Sequence, residues 1–436
     1  MGKIDSLSNK LYLSMTNEEL LKEKEKLQSI YEKYLQKHLD LDISRGKPCE
    51  AQLDLSLPML LDNINLKDFK SKDDIDCRNY GVLDGLDEIK QLFAEMLDVD
   101  KKNLFIGGNS SLSMMFDMMS LFMLKGVNST SEPWTRQGKI KFLCICPGYD
   151  RHFSMLDYFG IEPVNVPMLN DGPDMEMIEN LLSNDDSIKG MWCVPKYSNP
   201  TGIVYSDEVI RKIAKLKPMA KDFRIFWDNA YAVHFLEEKP DKILNILNEC
   251  GKNNNEDMVI MFTSTSKITF PGAGISALAC SENNLSYINE YYSNKTIGFN
   301  KINQLLHASF LKDYDSLLEH MKKHRDIIKP KFDVVVSVFN KYFKNNEIIK
   351  WTEPKGGYFI SVSVLNGSAK RVGELCSKAG LKLTSIGATY PEKFDPNDEN
   401  IRIAPTYPSI EELEEAMNLF CISIMIATVE KQMEKL

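Results

Sequence analysis

Apolar residues along this chain recur with two different periods. Between residues 17 and 38, Leu20, Leu21, Leu27, Ile30, Tyr31, Tyr34 and Leu35 fall at helical spacing among glutamates and lysines, which predicts an amphipathic packing helix. A second helix is expected over Leu86–Leu97, and a third from about Ser111, carrying Met114, Met115, Met118, Met119 and Phe122. Between and after them lie short apolar runs at Leu104–Ile106, Lys141–Cys146, Gly190–Pro195, Arg224–Tyr231 and Met258–Phe262. Runs of that length bounded by turn residues read as strands buried on both faces. Their alternation with helices, one of them over Ser206–Leu216, predicts an α/β fold with a mostly parallel central sheet between helices. From about residue 310 the helical period returns through Leu317, Leu318, Met321, Ile327, Ile328 and Phe332. Two alternating strands follow, within 354–362 and 400–404, and a last helix over 411–435. The expected organisation is an N-terminal helix and segment of a smaller domain (1–55), a large domain (56–310), and the rest of a smaller α+β domain (311–436).

Composition narrows the function classes. A chain of 436 residues can bury a large core, and 43% hydrophobic with 26% charged residues is ordinary for a soluble globular protein. A net charge of -9 argues against nucleic acid as a main partner. The nine cysteines include no Cys-x-x-Cys pair, so no metal site is expected, and reduced core thiols are. No apolar signal core or run of about 18 apolar residues occurs, so no membrane partner and a cytoplasmic location are expected.

The chemistry centres on Ser264-Thr265-Ser266-Lys267, where a buried strand ends in hydroxyl residues and one lysine before Pro271 and two glycines. An amine held in a crevice loses part of its preference for the charged form and can form a Schiff base; a plain surface lysine is the competing reading. Other predicted strands end in Tyr149 with His152, in Asn199, and in Asp228 with Tyr231. Arg402 stands in an otherwise apolar strand, where it needs a carboxylate partner, structural or substrate. Asn109, Ser110 and Ser111 open a helix after Gly107-Gly108; they suit a phosphate, or else cap a methionine-rich buried helix. Arg45 and Lys47 flank Gly46 in an early loop, where they either meet an anionic substrate or are simply solvated.

Together these residues match the needs of pyridoxal 5'-phosphate. Asp228, oriented by His152, would pair with the protonated ring nitrogen; Asn199 and Tyr231 would hold the phenolic oxygen. Tyr149 would stack on the ring, Lys267 would bond it, and Ser110, Ser111 and Ser264 would hold the phosphate. Arg402 would clamp the substrate α-carboxylate.

The same residues carry a resemblance to the fold-type-I pyridoxal-phosphate aminotransferases over nearly the whole length. The matched motifs are Asn-Tyr-x-x-x-x-Gly at Asn79–Gly85, Asn-Pro-Thr-Gly at Asn199–Gly202, Asp-x-x-Tyr at Asp228 and Tyr231, and Ser-x-x-Lys at Ser264 and Lys267. The resemblance implies a homodimer in which Tyr80 reaches the neighbouring subunit's phosphate. It departs at Gly274, where such enzymes usually carry a phosphate-binding arginine, and Lys301 is a possible substitute. The Gly-Ala-Gly variant, with Ser-Arg-Gly-Lys-Pro and Gly-Gly-Asn-Ser-Ser, is similar to a bacterial subgroup of aspartate aminotransferases, related to aminotransferase-like transcription regulators. The latter carry a basic DNA-binding domain ahead of the catalytic fold; here about 40 residues stand at that place and read as one helix, so a regulator is not the expected reading. The expected reaction moves the amino group of aspartate to 2-oxoglutarate. An aminotransferase for neutral or aromatic amino acids, or a lyase or racemase with the same coenzyme, is the alternative. For a second substrate carboxylate, Arg45, Lys47, Arg78 and Arg151 are candidates.

Overall fold

The computed structural model describes residues 11–61, 69–344 and 346–435. The first expected helix is Asn17–Leu35, begun by Thr16 and Glu19, whose side chains each accept the other's backbone N–H. That reciprocal pair is the Thr-x-x-Glu box seen at helix starts. Its buried Leu20, Leu27 and Tyr31 face the closing helix Ile410–Met433, which is buried on nearly every side from Leu419 to Val429. Among the described residues no helix is long and apolar enough to cross a membrane.

The central sheet has eight strands, in the lateral order Leu104–Ile106, Ser276–Cys280, Val259–Ser264, Arg224–Asp228, Ile188–Cys193, Lys141–Cys146, Glu162–Leu169 and Gly172–Pro173. The five strands from Val259–Ser264 to Glu162–Leu169 run parallel to one another. Ser276–Cys280 runs antiparallel to both its neighbours, and Gly172–Pro173 antiparallel to Glu162–Leu169. The sequence pattern did not announce Ser276–Cys280. Its Ser-Ala-Leu-Ala-Cys is built of small residues with little strand preference, and a short glycine loop returns the chain beside its neighbour, which forces the antiparallel sense. Glu162–Leu169 carries Pro163 and Pro167, which keep it near the sheet's margin.

Both faces of the four parallel strands other than Glu162–Leu169 are buried, as their unbroken apolar runs require. The four that end at Cys146, Cys193, Asp228 and Ser264 share a direction and open on one edge, where crevices form in such sheets. A second layer holds the antiparallel sheet Ile349–Trp351, Ile360–Val364 and Asn400–Ile403, beside the helices Tyr314–Phe343 and Ile410–Met433. Leu41–Asp42 pairs with Leu381–Lys382 and ties the early chain to this layer. All nine cysteines are buried and unpaired.

Candidate active site

Lys267 lies in a single turn after the strand Val259–Ser264, closed by bonds from the Ile268 and Thr269 N–H groups to the Thr265 carbonyl at 2.9 Å each. The turn is held from behind. His307 Nε2 sits 2.8 Å from Thr269 Oγ1 and 3.3 Å from Thr265 Oγ1, and His320 Nε2 sits 2.9 Å from the Ile268 carbonyl. Burial drives His307 down to about 4, so it serves as a neutral hydrogen-bonding ring. The Lys267 ammonium nitrogen is 5.1 Å from the centre of the Tyr231 ring. Burial lowers its pKa, against the pull of the Asp228 charge. That is the direction a nucleophilic amine requires.

Asp228 and His152 meet at 3.0 Å, Oδ2 to Nε2, both buried. The imidazole stacks on Trp192 with ring centres 4.3 Å apart and planes 8° from parallel. Trp192 comes from the neighbouring strand, a support that its place in an apolar run gave no reason to single out. Asp228 Oδ1 is buried with no hydrogen-bond partner among the described residues. Tyr231 is buried in the turn after the same strand, and that burial raises its phenol well above the ordinary value. Tyr149 packs edge-on to His152, ring centres 5.0 Å apart, and burial pushes it up to about 12.

Arg402 is buried, and its Nη1 donates to Asp150 Oδ1 at 2.8 Å and Asn199 Oδ1 at 3.2 Å. The guanidinium lies 4.7 Å over the Phe359 ring. Asp150 was not foreseen: an acid in the first turn of a helix reads as a complement to the helix dipole, and nothing in its spacing points to Arg402. Gly46 packs against the Cζ end of the Phe359 ring, and a Cβ there would stand 2.4 Å from Cζ. Gly46→Ala is expected to push Phe359 and tilt Arg402, raising KM for the amino acid about tenfold with a smaller change in kcat; steady-state kinetics check it. Arg45 is exposed beside Gly46. The other candidate cations are placed differently: Lys47 lies 3.5 Å over the Tyr407 ring, Arg78 pairs with Asp76 at 2.7 Å, and Arg151 is exposed.

The glycine turn and helix start at 107–111 face the lysine turn. Ser266 Oγ donates to the Asn109 carbonyl at 3.2 Å, and Ser264 Oγ donates to Ser266 Oγ at 3.0 Å. Ser110 occupies the cap position of Ser111–Lys125 without using its side chain to cap it, so its hydroxyl is uncommitted and the plain capping reading does not hold. The methionine face behind it is buried as expected. At Gly274 a Cβ would meet the Asn109 carbonyl at 3.1 Å and Thr265 Oγ1 at 3.2 Å, so the two loops approach too closely there for a larger residue without a shift. Lys301 is not a substitute cation for a phosphate. It is buried, and its ammonium donates to the Asn79 and Gly81 carbonyls at 2.6 and 2.9 Å. It thereby holds the loop bearing Tyr80, whose side chain is 81% exposed and outside this chain's own crevice.

A family profile described as aspartate amino-transferase matches residues 15–436. The chain belongs to the aspartate amino-transferase family. The aspartate aminotransferase of Corynebacterium glutamicum is 41% identical over 394 residues, which span 90% of this chain and 91% of that protein. The crystal structure of an aspartate transaminase from the same species superposes with a TM-score of 0.94 at 38% identity, covering 98% of this chain and 100% of that one. The α-aminoadipate aminotransferase LysN of Thermus thermophilus, complexed with a phosphopyridoxyl-leucine, shares the fold at TM-score 0.70 and 16% identity, over 93% of this chain and 96% of that one. The expectations of an aminotransferase, and of its α/β fold with a mostly parallel sheet, are borne out. At the edge where the parallel strands end, the structure gathers Lys267, Asp228, Tyr231, His152, Tyr149, Asn199, Arg402 and the 109–111 helix start.

Proposed function

We propose that this chain is a pyridoxal-phosphate-dependent aspartate aminotransferase that converts L-aspartate and 2-oxoglutarate to oxaloacetate and L-glutamate. The coenzyme reading is carried by Asp228 Oδ1, a buried acceptor without a partner among the described residues, in the same crevice as the desolvated Lys267 amine. A buried acceptor of that kind calls for a donor, and a protonated ring nitrogen is one. The relationship to the Corynebacterium enzyme supports aspartate as the donor.

The residues present fit the coenzyme. Asp228 and His152 would hold its ring nitrogen, Asn199 and Tyr231 its phenolic oxygen, and Tyr149 its face. Ser110, Ser111, Asn109 and Ser264 would hold its phosphate with the helix N–H groups. When bound, the coenzyme supplies an electron sink for the substrate's Cα. Lys267 would hold it and would carry the proton to and from Cα, a task suited to an amine of lowered pKa. Arg402 receives the α-carboxylate, with Asn199 beside it, and so sets the angle of the Cα–H bond. Arg45, next to Gly46, is assigned the second carboxylate of aspartate. In a homodimer Tyr80 would reach the partner's phosphate site, with Lys301 fixing its loop.

The test is purified protein with the coenzyme and 2-oxoglutarate, offered aspartate, alanine or phenylalanine in turn. Oxaloacetate from aspartate at the highest kcat/KM is expected. Turnover of alanine or phenylalanine with none of aspartate would replace this reading by the neutral or aromatic one. Pyruvate and ammonia formed without a keto-acid acceptor would make the chain a lyase.

A further inference from the structure

We propose that Asp150 is a latch on Arg402 that competes with an incoming carboxylate for the guanidinium, so that it sets how tightly the site holds its carboxylate substrates. This rests on the reading of Arg402 as the carboxylate clamp. A buried guanidinium needs a partner when no substrate is present, and Asp150 supplies the charge: Nη1 to Oδ1 is 2.8 Å, with Arg402 6% exposed. The other contacts on the guanidinium are neutral. Asn199 Oδ1 accepts from Nη1 at 3.2 Å, Thr384 Oγ1 lies 3.4 Å from Nε, and Phe359 covers one face. Among the described residues Nη2 has no hydrogen-bond partner, so the fork is half used. A substrate carboxylate bound by two parallel N–H groups needs Nη2 together with Nη1 or Nε. With Nη1 it competes with Asp150 for the same atom; with Nε it still brings a second negative charge to one guanidinium.

Asp150 cannot simply move away. It is the first residue of the helix Asp150–Phe159, between Tyr149 and His152, and the His152 N–H donates to the Tyr149 carbonyl at 3.0 Å. Shifting that backbone would move both Tyr149 and the ring that pairs with Asp228. Only the Asp150 side chain is free to turn, and at 34% exposure it has a route to water. Its place in the first helical turn favours its charge even without Arg402, which keeps the release inexpensive. The result is an arginine held ready in the empty site at the cost of weaker anion binding. Asn199, which shares Arg402 without a charge, carries no such cost.

The experiment uses coenzyme-loaded protein and succinate, a dicarboxylate with neither an amino nor a keto group. Its dissociation constant is read by calorimetry, alongside kcat/KM for aspartate. Asp150→Asn is expected to bind succinate about tenfold more tightly, the change expected of one like charge a few ångströms away in a partly solvated site, and to raise kcat/KM for aspartate. Asp150→Ala should move both in the same direction. A damaged fold would weaken both, so the sign separates the latch from a structural role. Unchanged or weaker succinate binding in both variants overturns the latch. Arg402→Leu distinguishes the two levels of inference. If it leaves succinate binding intact, the clamp itself is wrong and the latch falls with it; if it abolishes binding while the Asp150 variants change nothing, the latch alone fails.

Discussion

Lys267→Ala is expected to lower turnover of aspartate by more than about 10⁴-fold. The substitution removes a group with two tasks, attachment of the coenzyme and proton transfer at Cα, and positioned proton transfer alone is worth about 10²–10⁴. Borohydride treatment followed by peptide mapping should no longer fix the coenzyme to the 265–269 turn. The fold should survive, because the turn is held by His307, His320 and the Thr265 hydroxyl rather than by the ammonium. Burial already disfavours the charged amine, so removing it relieves a desolvation penalty. The melting temperature of coenzyme-free protein is therefore expected not to fall. Lys267→Arg gives the sharper control: it keeps the positive charge but has no accessible neutral form, and it should be as inactive as the alanine variant. Turnover retained in either variant would take Lys267 out of its role.

Four of the five parallel strands were legible because burial on both faces writes itself as unbroken apolar runs, and Lys141–Cys146 fell at the expected bounds. Arg224–Asp228 ended three residues before the expected Tyr231, and Glu162–Leu169, with most of its residues at least partly exposed and two prolines, was not announced. Ser276–Cys280 was hidden because its small residues are shared by loops, and its sense follows from the loop before it rather than from its own pattern. In the site, residues announced by their chemistry at a strand end were found: Asp228 beside His152, and Lys267 in its turn. What escaped were partners defined only by approach in space. Trp192 and Phe359 read as ordinary core, and Asp150 as an ordinary helix start. Lys301 shows the opposite failure. Its type suggested an anion, yet two backbone carbonyls take its donors, and sequence carries no sign of which carbonyls a loop will present.

Asp228→Ala is expected to cost about 2–4 kcal/mol of transition-state stabilisation, or roughly 30- to 1000-fold in kcat, the range found for one preorganised electrostatic partner. The geometry explains why the figure should reach that range. Oδ2 is held by His152 at 3.0 Å, His152 is held by the Trp192 face, and Oδ1 is left buried and unpaired. An unpaired buried acceptor costs about 1–3 kcal/mol, and a donor on the coenzyme ring would offset that cost on binding. Coenzyme affinity should accordingly fall in the same variant, as measured by equilibrium dialysis. Asp228→Asn decides whether charge or shape matters. It keeps the volume and one contact to His152 but cannot hold a proton on the ring nitrogen by charge, so it should lose nearly as much kcat as alanine. His152→Ala acts mainly through Asp228 and should cost less, about tenfold. Because the two side chains form one unit, the double variant should be little worse than Asp228→Ala alone. A loss below about tenfold in Asp228→Ala, or full additivity with His152→Ala, would contradict the assignment of Asp228 to the ring nitrogen.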